Sequence, residues 1–282
     1  MNLTINYTAE LKEAAEGKES FLKRSLQEIE GLVIAYSGGV DSNYLVNVAH
    51  RVLGERCLAV TAVSSTYTET ERKEAEVSAE AAGIPHRLVA SEELDIAGFC
   101  DNPADRCYYC KSELFGKLRK IAREQGFQTV ADGSTYSDID DHRPGMKSAA
   151  ELGVISPLKE AGLTKEEIRY LSKKMGLSTW DKPAAACLAS RFPYGTRITR
   201  ERLEQVELAE NFLKKAGLRQ FRVRYHGAVA RIEISPDEID GFWKNRQLRR
   251  EIYDYFSSIG FTFTALDLLG YRSGNMNKQL KK

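Results

Sequence analysis

The feature that most restricts the fold is a junction early in the chain. The apolar run Leu32-Val33-Ile34-Ala35-Tyr36 leads straight into Ser37-Gly38-Gly39-Val40-Asp41-Ser42, after which Leu45, Val48, Ala49, Val52 and Leu53 recur at helical spacing. A short continuous apolar run fits a strand buried on both faces, and the spacing that follows fits an amphipathic helix. Paired glycines let the backbone turn tightly and come close to a ligand. Amides at the start of the helix favour an anion, and the hydroxyls of Ser37 and Ser42 can donate to phosphate oxygens. Asp41 is ill suited to bare phosphate but useful beside Mg²⁺. The loop contains no lysine and no Gly-Lys-Ser/Thr, so it is not a Walker loop. The plainer alternative is a tight strand–helix turn with an ordinary glycine pair.

The pattern repeats downstream. Cys57 to Val63, His86 to Val89 and Thr129 to Asp132 are predicted strands. Glu10 to Glu30, the segment opened by Thr68 and Glu71, Cys107 to Gln125 and the segment opened by Thr164 and Glu167 are predicted helices. Strands alternating with helices predict an α/β fold, a parallel sheet with helices on both faces. Such sheets bind ligands at the carboxyl ends of their strands. Ser37, Ser64 and Gly133 each follow a strand and can meet at that edge. Asp132-Gly133-Ser134-Thr135 precedes Asp138, Asp140 and Asp141, which form either a magnesium site or a solvated acidic loop.

The pattern changes after Trp180. Residues 1–180 are expected to form the parallel-sheet domain, and 181–282 a smaller substrate-binding and oligomerisation α/β domain. The latter is read as an irregular segment to Arg197, a helix from Thr199 to Ala216, a hairpin of Phe221 to His226 with Val229 to Ser235, a helix from Glu238 to Ser258 and a strand near Phe261 to Leu268. A homo-oligomer is expected.

The formal net charge of +1 gives no global pull toward nucleic acid or an anionic membrane. No apolar run is long enough to span a bilayer, and the N-terminus has no signal-peptide core. A cytoplasmic location is the default, in which the five cysteines stay reduced. Cys107 and Cys110 share a helix face beside Arg106 and Lys111, a setting that favours thiolate. Read alone, this pair is a redox couple, half a zinc site or two buried thiols. With Cys187 it supplies three thiols, one short of a structural zinc site. Three thiolates can also hold a four-iron cluster with one iron open to another ligand. Cys57 reads as core, and Cys100 as incidental.

The loop resembles the PP-loop of the N-type ATP pyrophosphatases, which implies that Ser37, Gly38, Gly39, Asp41, Ser42, Ser64 and Gly133 bind ATP, with Asp41 near magnesium. Together with Asp132-Gly133-Ser134, His142-Arg143-Pro144-Gly145, Ser190-Arg191-Phe192-Pro193-Tyr194-Gly195, Arg222-Val223-Arg224, Leu266-Asp267-Leu268 and Tyr271-Arg272-Ser273-Gly274, it resembles the LarE-type sulfur transferases from about Gly31 to Met276. That resemblance implies a small nucleotide substrate, pyridinium-3,5-biscarboxylic acid mononucleotide. Its carboxylates become adenylates and then thiocarboxylates, on the route to a nickel-pincer nucleotide. It further implies that Ser190, Arg191, Arg222, Arg224 and Glu210 hold the substrate's phosphate. Cross-strand pairing of Arg222 or Arg224 with Glu233 is the competing role. One branch of the family gives up the sulfur of its own cysteine. Another carries three cysteines and an iron–sulfur cluster, and Cys107, Cys110 and Cys187 place this chain there, with a [4Fe-4S] cluster as the expected sulfur carrier. The rivals are a tRNA thiolase, disfavoured by the balanced charge, an ammonia-using amide synthase, and a protein that binds ATP without cleaving it.

Overall fold

In a computed structural model, residues 7–139, 144–183, 186–272 and 274–275 are described. The chain divides into two compact units. One comprises Met1–Ser64, Glu69–Ser91 and Cys107–Ala184, the other Ser65–Thr68, Glu92–Arg106 and Ala185–Lys282. Among the described residues no helix is long and apolar enough to cross a membrane.

The first unit runs α1 (Ala9–Gln27), β1 (Leu32–Ala35), α2 (Val40–Leu53), β2 (Cys57–Val63), α3 (Glu69–Ala81), β3 (His86–Ala90), α4 (Arg106–Glu124), β4 (Thr129–Ala131), α5 (Pro144–Glu151), α6 (Pro157–Glu160) and α7 (Lys165–Lys174). Its four strands are all parallel, in the order β3-β2-β1-β4. Successive side chains of a strand point to opposite faces, and β1 shows it. Leu32 and Ile34 join a core built with α1, α2, α3 and α7. Val33 joins the opposite core, with Phe115, Leu118 and Ile121 of α4 and Ala149 of α5. Both faces are therefore covered, as the sequence predicts. The capping box of α7 forms as expected: Glu167 Oε2 accepts from the Thr164 amide at 2.8 Å, and Thr164 Oγ1 accepts from the Glu167 amide at 3.3 Å.

The second unit carries α8 (Arg200–Lys215), β5 (Phe221–His226), β6 (Val229–Ile234), α9 (Pro236–Lys244), α10 (Arg246–Ser258) and β7 (Phe263–Leu266). β5 and β6 form the expected antiparallel hairpin, and β7 adds parallel to β6. Phe192, Tyr225, Phe256 and Phe261 form a chain of ring contacts at 5.1 to 6.1 Å. The expected helix from Glu238 to Ser258 is two helices. The Asn245 backbone leaves the helical region at φ −83°, ψ 87°, and its side chain accepts the Leu248 amide at 3.0 Å, so it ends α9 and caps α10.

The two early segments are stitched into this second unit by backbone bonds. The Leu188 amide donates to Thr66 O at 3.0 Å, Ile198 to Cys100 O at 2.8 Å and Gly195 to Asn102 O at 2.9 Å. Asn102 adopts φ +54° and donates through Nδ2 to the carbonyls of Phe192 and Pro193.

Candidate functional site

The loop between β1 and α2 is shaped by contacts that leave little room. Gly38 sits at φ +64°, and a Cβ there would lie 2.9 Å from Ala75 Cβ. Both facts demand glycine. Ser37 Oγ and Ser42 Oγ lie 3.1 Å apart, and the Ser37 amide donates to Ser42 Oγ at 3.3 Å. The first turn of α2 has no side-chain cap at Gly39, so its amides are the donors that a helix start offers an anion. Asp41 stands in that turn, partly exposed.

The end of β4 meets this loop. A Cβ on Gly133 would lie 3.1 Å from the Ser42 amide nitrogen, so only a glycine lets the two backbones approach this closely. Asp132 is fixed beside it, accepting from the Ser134 amide, Ser134 Oγ and Ser156 Oγ at 3.1, 2.7 and 2.8 Å. The parallel order puts the carboxyl end of β2, and with it Ser64, on the same edge. Asp138 turns out to be a cap. Its Oδ2 accepts from the Thr135 amide at 2.9 Å and its Oδ1 pairs with Lys165 at 2.7 Å, so this buried carboxylate is not part of a solvated acidic loop. Asp140 and Asp141, with His142 and Arg143, lie outside the described residues.

A cation that the sequence reading missed reaches the loop. Lys182 Nζ donates to Gly38 O at 3.1 Å and lies 2.8 Å from Glu74 Oε2. Lys182 occupies an irregular segment without periodicity, so no local pattern announces it.

No cysteine forms a disulfide. Cys107 and Cys110 occupy the first turn of α4, Cys107 exposed and Cys110 partly so. Gly145 packs against that turn, where a Cβ would lie 2.8 Å from Lys111 Cγ and 3.3 Å from Cys107 O. The two neighbouring cations have other engagements. Arg106 is buried, donates to Asn102 Oδ1 at 2.7 Å and lies over the Tyr194 ring, while Lys111 lies over Phe115. Cys57 is core, and burial pushes its thiol up to about 12. Cys100 Sγ donates to Leu94 O at 3.0 Å. Cys187 is exposed, at the start of a short 3₁₀ turn, Leu188–Arg191. The donor chemistry of Cys107, Cys110 and Cys187, three thiols that solvent reaches, fits thiolate ligation of iron. Among the described residues, however, no three Cys, His, Asp or Glu side chains stand close enough together to hold a metal ion.

The arginines of the second unit form a cluster in which two glutamates, Glu210 and Glu233, offset part of the positive charge. Arg191 grips Glu210 bidentately, Nε to Oε1 at 2.9 Å and Nη2 to Oε2 at 2.8 Å, and its Nη1 donates to Ala186 O, Cys187 O and Ser190 Oγ. Burial disfavours the Glu210 carboxylate, but the charge and hydrogen bonds of Arg191 and the Val223 amide outweigh this and hold its pKa below the usual range. Arg224 donates twice to Glu233 Oε2, at 2.9 and 2.6 Å, and once to Ser190 O at 2.9 Å. Glu233, fully buried, also accepts from Arg231 at 3.0 Å and Asn275 at 2.7 Å. Arg222 is the backbone partner of Glu233 in the β5–β6 register, yet it is Arg224 that takes the carboxylate. The Arg222 guanidinium lies over Tyr271, and burial followed by the charge of Arg191 lowers its pKa. Ser190, Arg191, Glu210, Arg222 and Arg224 are thus gathered around the 3₁₀ turn Leu188–Arg191, α8 and β5.

No family model matches the chain. It is 43% identical over 267 residues to an uncharacterized protein of Synechocystis sp., covering 95% of this chain and 99% of the relative. It is 36% identical over 267 residues to the pyridinium-3,5-bisthiocarboxylic acid mononucleotide synthase of Lactiplantibacillus plantarum, covering 94% and 95%. A subunit of the glutamine-hydrolyzing GMP synthase of Methanococcus maripaludis is 28% identical over 182 residues, covering 56% of each chain. The last similarity fits a shared PP-loop sheet, and the second spans both units: the chain belongs to the LarE family of ATP-using, PP-loop sulfur transferases.

Proposed function

We propose that this enzyme converts carboxylates of pyridinium-3,5-biscarboxylic acid mononucleotide to thiocarboxylates by way of an adenylate. The observation that carries the reading is the close approach of Gly133 to Ser42, which supports one nucleotide site made from the phosphate loop and the end of β4. The product name of the Lactiplantibacillus relative supports the substrate.

Ser37, Gly38, Gly39, Asp41 and Ser42 hold ATP, with Ser64 and Gly133 completing the edge and Asp41 beside Mg²⁺. A substrate carboxylate oxygen attacks the α-phosphorus, and pyrophosphate leaves. No strong base is required, because a carboxylate is already ionised near pH 7. Catalysis here is positioning and charge neutralisation. A sulfur nucleophile then adds to the activated carbonyl carbon, and AMP departs with the electron pair of the broken C–O bond. Arg191, Arg222 and Ser190 bind the substrate's phosphate, for which the fork of arginine is suited. Glu210 orients Arg191. Arg224, committed to Glu233, acts by holding the Ser190 backbone.

Cys107, Cys110 and Cys187 are the residues that would ligate an iron–sulfur cluster, which when bound would supply sulfide. A homo-oligomer, and a cytoplasmic protein without a nucleic-acid partner, complete the proposal.

The test uses the anaerobically purified chain with Mg²⁺-ATP and the pyridinium mononucleotide. One pyrophosphate per thiocarboxylate is expected, with iron and acid-labile sulfide present and both lost in Cys187→Ala. Ammonia-dependent ATP cleavage without thiocarboxylate would replace the reading with amide synthesis. An iron-free, fully active protein would remove the cluster. A limit of one thiocarboxylate per chain would mark Cys187 as a spent sulfur donor.

A further inference from the structure

The phosphate loop brings no cation of its own, yet a triphosphate carries several negative charges and a helix start offers only about half a positive one. Asp41 within the loop and Glu74 beside it deepen the deficit. Lys182 is delivered to this place by a segment that is fastened at several points. Asn43 Nδ2 donates to Thr179 Oγ1 at 2.8 Å, and the Lys182 amide donates to Thr179 O at 3.0 Å. Arg169 donates to Trp180 O and to Lys182 O, both at 2.8 Å. Side-chain entropy alone would let a lysine wander. Here its backbone is pinned, and its ammonium spends one donor on Gly38 O at 3.1 Å and another on Glu74 at 2.8 Å. An ammonium has three donors. The third has no acceptor among the described residues, and the side chain is 21% exposed, so solvent and a ligand can reach it.

We propose that Lys182 is the phosphate-binding cation of the loop, standing in for the lysine that a Walker loop carries in its own sequence. It donates to a β- or γ-phosphate oxygen of ATP and neutralises the pyrophosphate as the bond between the α-phosphorus and the bridging oxygen breaks. Its contact with Gly38 O keeps the ammonium at the loop before the nucleotide arrives, and Glu74 is the counter-charge that a phosphate displaces. This rests on the reading that the loop binds ATP.

The test compares binding of α,β-methylene-ATP, which keeps all three phosphates but resists cleavage between the first two, with binding of AMP. The full chain is used, as wild type, Lys182→Gln and Lys182→Arg, with thermal unfolding followed in parallel. Lys182→Gln should weaken the triphosphate analogue about tenfold or more, the size expected for one charge-assisted hydrogen bond. It should leave AMP binding and the unfolding temperature unchanged, while Lys182→Arg keeps most of the affinity. Equal losses for both ligands would show that Lys182 only shapes the loop, and no loss for either would also overturn the proposal. If Lys182→Gln does not fold, Glu74→Gln replaces it. Releasing the ammonium should then tighten the analogue but not AMP, and an unchanged analogue affinity counts against the role. A wild-type protein that binds neither ligand would instead refute the ATP reading itself.

Discussion

In the first unit the groups proposed to face an anion are main-chain amides at the start of α2, framed by two hydroxyls 3.1 Å apart. In the second unit they are guanidiniums, two of them gripping glutamates, Arg191 on Glu210 and Arg224 on Glu233. Amides are neutral and can be packed tightly without a counter-charge, so the loop's demand is for space. Guanidiniums cannot be buried without compensation, so the cluster's demand is for charge balance. One site should therefore break when a methyl group is added, and the other when a carboxylate is taken away.

The largest effect is expected from Glu233→Ala. It leaves Arg224 buried without its carboxylate, which costs about 3–5 kcal/mol for a buried pair that loses one partner. Chemical denaturation measures it, and affinity for nucleotide in the folded fraction should hold. A variant as stable as wild type would erase the contrast between the sites. Gly38→Ala comes next, at about 1–3 kcal/mol for a non-glycine residue held at positive φ, with the added methyl pressed against Ala75. Here stability falls modestly while nucleotide binding is lost. Retained binding would mean that the loop tolerates a shape change and that its amides are not the donors. The smallest effect is a pH dependence. Glu210 is held below its ordinary pKa of 4.5 in the folded protein, so its contribution is full above that value and declines as the pH falls through the lower folded pKa. Glu210→Gln should flatten stability across that acid window relative to wild type. An identical acid profile in the two proteins would show that Arg191 does not depend on this charge.

Local pattern made the parallel sheet and the hairpin legible. Cys57–Val63 and Phe221–His226 stand where the apolar runs end, and Thr164 caps α7 through the reciprocal bonds its spacing with Glu167 predicts. Asn245 escaped because the polar and apolar rhythm continues across it, while the break is made by one side chain capping the next helix. The loop residues were readable because a glycine pair after a strand has a local meaning. Lys182 was not, since its value lies in reaching Gly38 across 144 positions of sequence. The arginine motif was visible as residues, but which arginine takes Glu233 was not. Strand register alone points to Arg222, and side-chain reach gives the carboxylate to Arg224.

The division of the chain into units has a consequence for where the proposed site residues fall along the sequence. The backbone passes from one unit to the other after Ser64, Thr68, Ser91, Arg106 and Ala184. Ser64 stands before the first of these passages, on the proposed nucleotide edge, Cys107 follows another directly, and the last leads within a few residues to Cys187. The proposed nucleotide and sulfur chemistry thus falls on or beside the stretches of chain where the backbone changes unit.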